Sequence, residues 1–173
     1  MKNLVLGGGC FWCIEAVYNR VKGVESALSG YAGGHRPNPS YQSICTGVSG
    51  HAEIVDIRYD DEVITLKELL DIFFVVHNPT TLNAQGADKG TQYRSVIYYE
   101  NAEEKALIDE SIVEHQAEFD DKIVTEVSKL PEVYPAEDYH QNYYDGHSQE
   151  GYCQVVIAPK LQKFMTKFPQ KLV

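Results

Sequence analysis

Leu4-Val5-Leu6-Gly7-Gly8-Gly9-Cys10-Phe11-Trp12-Cys13-Ile14-Glu15-Ala16-Val17-Tyr18 changes its hydrophobic period part-way along, and that change decides the fold class. Leu4 to Leu6 reads as a short strand, and the three glycines read as a turn. Phe11 to Val21 then places Ile14, Val17, Tyr18 and Val21 on one helical face. Cys10 therefore stands at a helix N-terminus, where free N–H groups and the helix dipole stabilise a thiolate. Such a thiol is a candidate nucleophile. Cys13 lies one turn further in, at the spacing that lets a Cys-x-x-Cys close a local disulfide. A buried apolar role is the alternative for either cysteine.

Further along, the chain mixes both element types. His51 to Tyr59 alternates, putting Glu53, Val55, Ile57 and Tyr59 on one side of a strand. Thr65 and Glu68 form a capping box ahead of a helix striped by Leu66, Leu69, Leu70, Phe73 and Phe74, ending before Pro79. Gly30 to Pro39 and Asn78 to Gln92 read as loops. Tyr93 to Tyr99 reads as a strand, Asn101 caps a helix reaching about Glu118, and Ile123 to Val127 reads as another strand. From Pro131 the apolar period fades among tyrosines and histidines, so residues from about 131 to 173 are expected to form an irregular wrapping segment and tail. Within it Cys153 to Ile157 is expected to be extended.

Composition narrows the function classes. The 173 residues, 43% of them apolar, suffice for one core, and a single domain over 1–173 is expected. A net charge of -10 disfavours nucleic acid, whose phosphates require clustered Lys and Arg, and disfavours anionic membrane. Leu4 to Leu6 is too short for a signal peptide or a membrane span, so the expected location is cytoplasmic. Four cysteines in such a setting point to reactive or incidental thiols rather than a disulfide framework. A zinc site would need a second close pair, and Cys45 and Cys153 stand apart, so metal is not expected. Glu53 on the inward side of its strand is expected to have a raised pKa, as a general acid needs. His51 and His140 are read as structural.

Gly9-Cys10-Phe11-Trp12-Cys13 resembles the signature of the A-type peptide-methionine sulfoxide reductases. The resemblance continues through Gly30-Tyr31-Ala32-Gly33-Gly34, Asn38-Pro39-Ser40-Tyr41, Gly50-His51-Ala52-Glu53, Gly90-Thr91-Gln92-Tyr93-Arg94-Ser95 and Ala136-Glu137-Asp138-Tyr139-His140-Gln141. It implies an α+β fold, a two-layer α/β sandwich with a mixed sheet and a ferredoxin-like core. It further implies that Cys10 attacks the sulfur of methionine sulfoxide in its S epimer, releasing methionine and leaving a sulfenic acid. Glu53 would protonate the sulfoxide oxygen, with Tyr41 and Tyr93 hydrogen-bonded to it. Phe11 and Trp12 would hold the methyl group, and Asp88 would orient the substrate. Cys153, in Gly151-Tyr152-Cys153, or Cys13 would resolve the sulfenic acid as a disulfide. Thioredoxin or another thiol reductant would supply the electrons, with no cofactor, and the protein would act as a monomer. Ala87 departs from the family, which commonly has asparagine there. A general disulfide oxidoreductase using Cys10 and Cys13, and a non-enzymatic module that binds methionine-containing peptides, are the alternatives.

Overall fold

The computed structural model describes residues 1–34, 39–46, 49–86 and 88–173, leaving aside the side chain of Cys45. In chain order the elements are β1 (Lys2–Gly7), α1 (Phe11–Tyr18), β2 (Val24–Ala32), α2 (Tyr41–Cys45), β3 (Ala52–Tyr59), α3 (Leu66–Val76), β4 (Ala84–Gln85), β5 (Asp88–Lys89), β6 (Val96–Tyr99), α4 (Ala102–Gln116), β7 (Glu126–Lys129), β8 (Val133–Pro135), α5 (Tyr143–His147) and α6 (Ala158–Lys167). The main sheet has the order β7-β6-β1-β3-β2-β8, while β4 and β5 pair separately. Its inner four strands, β6-β1-β3-β2, are mutually antiparallel, with α1 linking β1 to β2 and α3 lying between β3 and β6. That is the ferredoxin-like arrangement. The parallel pairing of β7 with β6 makes the sheet mixed.

Register explains the two faces. Leu4 opposes Ile57, Leu6 opposes both Val55 and Ile97, and Tyr31 opposes Glu53. These side chains point to the helical layer, where they join Phe11, Ile14, Val17 and Tyr18 of α1 and Leu69, Leu70 and Phe73 of α3 in the main core. The alternate residues Val5, Ile54, Val96 and Tyr98 form a smaller cluster on the other face. Strand pleating therefore decides that Glu53 points toward α1.

Both expected caps are present: the Thr65 hydroxyl accepts from the Glu68 N–H, and the Asn101 side chain accepts from the Glu104 N–H. Four departures from the sequence reading have physical reasons. Helix α1 ends at Tyr18, and the chain tightens so that Val21 bridges to Leu172 while staying buried. Strand β2 includes Gly30, Tyr31 and Ala32, placed in a loop by the sequence reading; its small and polar residues hide it, and a Cβ at Gly30 would come 2.7 Å from the Tyr134 carbonyl oxygen of β8. Residues 35–38 of that expected loop lie outside the described residues. The last strand of the sequence reading is displaced to Glu126–Lys129, leaving Ile123 buried ahead of it.

The C-terminal segment departs most. Cys153–Ile157 is not extended but forms a π-type turn that runs directly into α6. Cys153, Ile157, Leu161 and Phe164 are all buried, at spacings of four, four and three residues, which is a helical stripe. Helix α6 packs on both α1 and α3. The segment read as irregular thus adds a strand, β8, and two helices to the layers. No described helix is long and apolar enough to cross a membrane.

Candidate active site

The glycine turn is shaped by what surrounds it. A Cβ at Gly7 would lie 2.4 Å from the Glu53 carbonyl oxygen, and one at Gly8 would lie 2.7 Å from the His77 ring. That ring is fixed by hydrogen bonds to the Phe73 carbonyl and the Ser95 hydroxyl, and burial pushes its pKa down to about 3, so it stays neutral. Gly9 has φ +90, and its N–H donates to the Tyr93 carbonyl at 3.2 Å. The turn delivers Cys10 as the N-cap of α1, 8% exposed, with the Cys13 N–H donating to its carbonyl at 3.1 Å.

Glu53 reaches the same helix start from β3. Its Oε1 accepts the Phe11 N–H at 3.1 Å, one of the helix's orphan donors, while Oε2 is buried with no hydrogen-bond partner. Burial raises the carboxyl to about 8, against the Phe11 hydrogen bond and assisted by the Asp88 charge. At neutral pH it is a protonated acid with an unspent O–H, and the proton belongs on the unpartnered oxygen.

The resting state of Cys10 differs from the sequence reading. Desolvation, followed by the nearby Glu53 and Cys13, pushes the thiol well above its ordinary value, outweighing the lowering hydrogen bonds from the Trp12 backbone and the Tyr152 hydroxyl. A helix N-terminus stabilises charge by about 0.3–2 kcal/mol, less than complete burial costs. Cys13 is raised to about 11, also chiefly by burial. Two neutral thiols therefore share the site with a neutral acid.

Aromatic groups enclose them. Phe11 lies 5.6 Å from Tyr31 and 5.2 Å from His140 between ring centroids, and Tyr41, at the start of α2, lies 4.4 Å from His140. The Trp12 indole N–H donates to His140 Nδ1 at 3.2 Å, and its face stacks on Tyr143 at 3.7 Å. Tyr152 stands edge-on to Trp12, donates to Asp88 Oδ2 at 2.6 Å, and reaches both Cys10 and Cys13 with its hydroxyl. Glu137 accepts from the Tyr31 and Tyr139 hydroxyls and from the Tyr41 N–H, fixing the entry to α2.

Cys10, Phe11, Trp12, Glu53, Asp88 and the Tyr93 backbone are thus brought to one place, with Tyr41 attached through His140. Cys13 is in the site, whereas Cys153 is buried behind Tyr152 in the π-type turn. Ala87 lies outside the described residues. The sequence reading missed His140 as a neighbour of Trp12, and missed Tyr143, Tyr152 and Glu137. Nothing local marks them, because the partners that bring them to the site, Trp12, Tyr31, Tyr41 and Asp88, lie more than 60 residues away; only the interleaving of tyrosine and histidine after Pro131 hinted at a wrapped aromatic wall.

The sequence profile described as peptide methionine sulfoxide reductase matches residues 2–172. The chain belongs to that family. A peptide methionine sulfoxide reductase MsrA of Polynucleobacter asymbioticus is 56% identical over 170 residues, 97% of this chain and 90% of that protein. Among solved structures, the reduced form of Mxr1 from Saccharomyces cerevisiae superposes with a TM-score of 0.82 at 37% identity, covering 88% of each chain. Mxr1 in complex with Trx2 matches with a TM-score of 0.57 at 26% identity, over 82% of this chain and 84% of that one. Solved members of the family share the α+β fold described above.

Proposed function

We propose that the protein reduces the S epimer of methionine sulfoxide, free or within polypeptides, to methionine. The observation that carries this reading is the buried Glu53 carboxyl beside the Cys10 thiol, its Oε2 unpartnered and its pKa raised by burial in favour of the protonated acid. A sulfoxide oxygen is a strong acceptor, and donating that proton makes the sulfur electrophilic. Cys10 sulfur then attacks. Its proton replaces the one Glu53 gave up, the S–O bond breaks, and methionine leaves with Cys10 as a sulfenic acid, so one thiol and one sulfoxide become one sulfenic acid and one thioether. Phe11 and Trp12 form an apolar wall suited to a methyl group, Asp88 and Tyr152 suit the substrate's polar backbone, and Tyr41 and Tyr93 are assigned to the oxygen.

A second thiol condenses with the sulfenic acid, expelling water and forming a disulfide that a dithiol protein reopens by exchange. The yeast relative's complex with Trx2 supports thioredoxin as that donor. Cys13 lies one turn from Cys10 and Cys153 lies in the buried π-type turn, and we read one of these two as the resolving cysteine. Peptide mapping after one turnover without reductant is expected to reveal a disulfide from Cys10 to one of the two; a lasting sulfenic acid alone would refute both. We read residues 1–173 as one monomeric domain acting in the cytoplasm.

The function is tested by supplying each epimer of methionine sulfoxide separately with dithiothreitol and measuring methionine released. The S epimer is expected to be consumed and the R epimer left intact. Consumption of neither, with protein disulfides reduced instead, would favour a disulfide oxidoreductase.

A further inference from the structure

A groove of about 1280 Å³ leaves the site at Gln85, Asp88 and Tyr152 and runs along α6. A pocket for one small ligand holds roughly 300–1,000 Å³, so this space exceeds what a single amino-acid side chain requires. Its apolar lining includes Phe74, Val76, Phe119 and Val156, with Val155 74% exposed at its edge. One wall carries Lys160, Lys163 and Lys167, at intervals of three and four residues along α6 and hence on one face. Among the described residues none of the three stands within ion-pair distance of a carboxylate, whereas Lys171 just beyond is paired with Glu68. In a chain of net charge -10, a row of unpaired lysines aimed into a groove is a local reversal of sign. Glu118, Asp120 and Asp121 also line the groove.

We propose that this groove seats the extended polypeptide flanking a methionine sulfoxide, and that Lys160, Lys163 and Lys167 select acidic flanking segments. The proposal rests on the reductase reading and names the substrate class for it. Seven helical residues rise about 10.5 Å, the length of about three extended residues, so one short acidic segment can lie against all three lysines.

The test uses the full protein with dithiothreitol at low salt. Three peptides carry one S-epimer methionine sulfoxide flanked on both sides by Glu-Ser-Glu, Ser-Ser-Ser or Lys-Ser-Lys, and free methionine sulfoxide is the fourth substrate. The acidic peptide is expected to exceed the serine peptide by about tenfold in kcat/KM and the lysine peptide to fall below it, with the spread narrowing at high salt. In Lys163→Gln/Lys167→Gln the acidic peptide should drop to the level of the serine peptide while the serine peptide holds its rate. Equal rates for the three peptides, or an acidic preference that survives the double variant, would overturn the proposal. With thioredoxin in place of dithiothreitol, a defect of the double variant that is shared by all four substrates and absent with dithiothreitol would overturn it in favour of a reductant-docking surface. Failure of all four substrates, free methionine sulfoxide included, to yield methionine would overturn the reductase reading itself.

Discussion

Glu53→Gln is expected to lower kcat/KM for methionine sulfoxide by about 100- to 10,000-fold, the range that general acid catalysis supplies. The amide preserves size and can still accept the Phe11 N–H, so α1 should begin unchanged; what disappears is the transferable proton on Oε2. The pH profile separates the two roles. With the carboxyl raised to about 8, parent activity should fall as pH rises through that value, and the glutamine variant should lose this limb. A variant whose high-pH limb persists would assign the titration to another group. Stability moves with the same proton. The folded state retains it from the ordinary carboxyl value of 4.5 up to about 8, so the contribution is full below 4.5 and is lost as pH rises through 8. At pH 8 and above the glutamine variant should therefore resist urea better than the parent relative to their difference at pH 5.

Cys10→Ser is expected to abolish turnover, a loss on the order of 10⁴-fold or more with any reductant, as removal of a nucleophile generally does. An alkoxide is far less accessible than a thiolate, and oxygen cannot be carried through a sulfenic acid to a disulfide. The substituted side chain is slightly smaller and stays at the N-cap, a position that serine favours, so the fold should hold. Substrate should still quench or shift Trp12 fluorescence, since the aromatic wall remains. Measurable methionine release by the serine variant would sink the assignment of Cys10 as nucleophile.

Legibility followed the range of the interactions. The turn Gly7-Gly8-Gly9, the helix after it, and the caps at Thr65 and Asn101 were readable because their determinants lie within a few residues of each other. Glu53 was readable too, since strand alternation placed it beside Val55 and Ile57. Strand β2 was not, because Ser26, Ala27, Ser29 and Gly30 carry no apolar alternation, and the strand is held by distant partners, β3 along its length and β8 from Gly30 to Ala32. The ionisation of Cys10 was misjudged for a related reason: the sequence marks the helix start but does not disclose how completely Tyr152 and its neighbours exclude water. The roles of Tyr41, Tyr93 and Asp88 rested on family motifs, as no local pattern distinguishes two tyrosines among twelve.

The anchoring of residues 140–145 bears on how the protein matures. Trp12 and His140 are 128 residues apart, Glu15 and Asn142 are 127 apart, and the Gln141 side-chain amide bonds both the N–H and the carbonyl of Ser29 as a strand would. During translation the glycine turn and its thiols leave the ribosome before the residues that cover them, and they remain uncovered until Tyr152 has followed. Through that interval Cys10 and Cys13 face the surrounding solution, and such long-range closures are slow to form. The nascent chain is therefore most open to oxidation before it gains the machinery to reverse it.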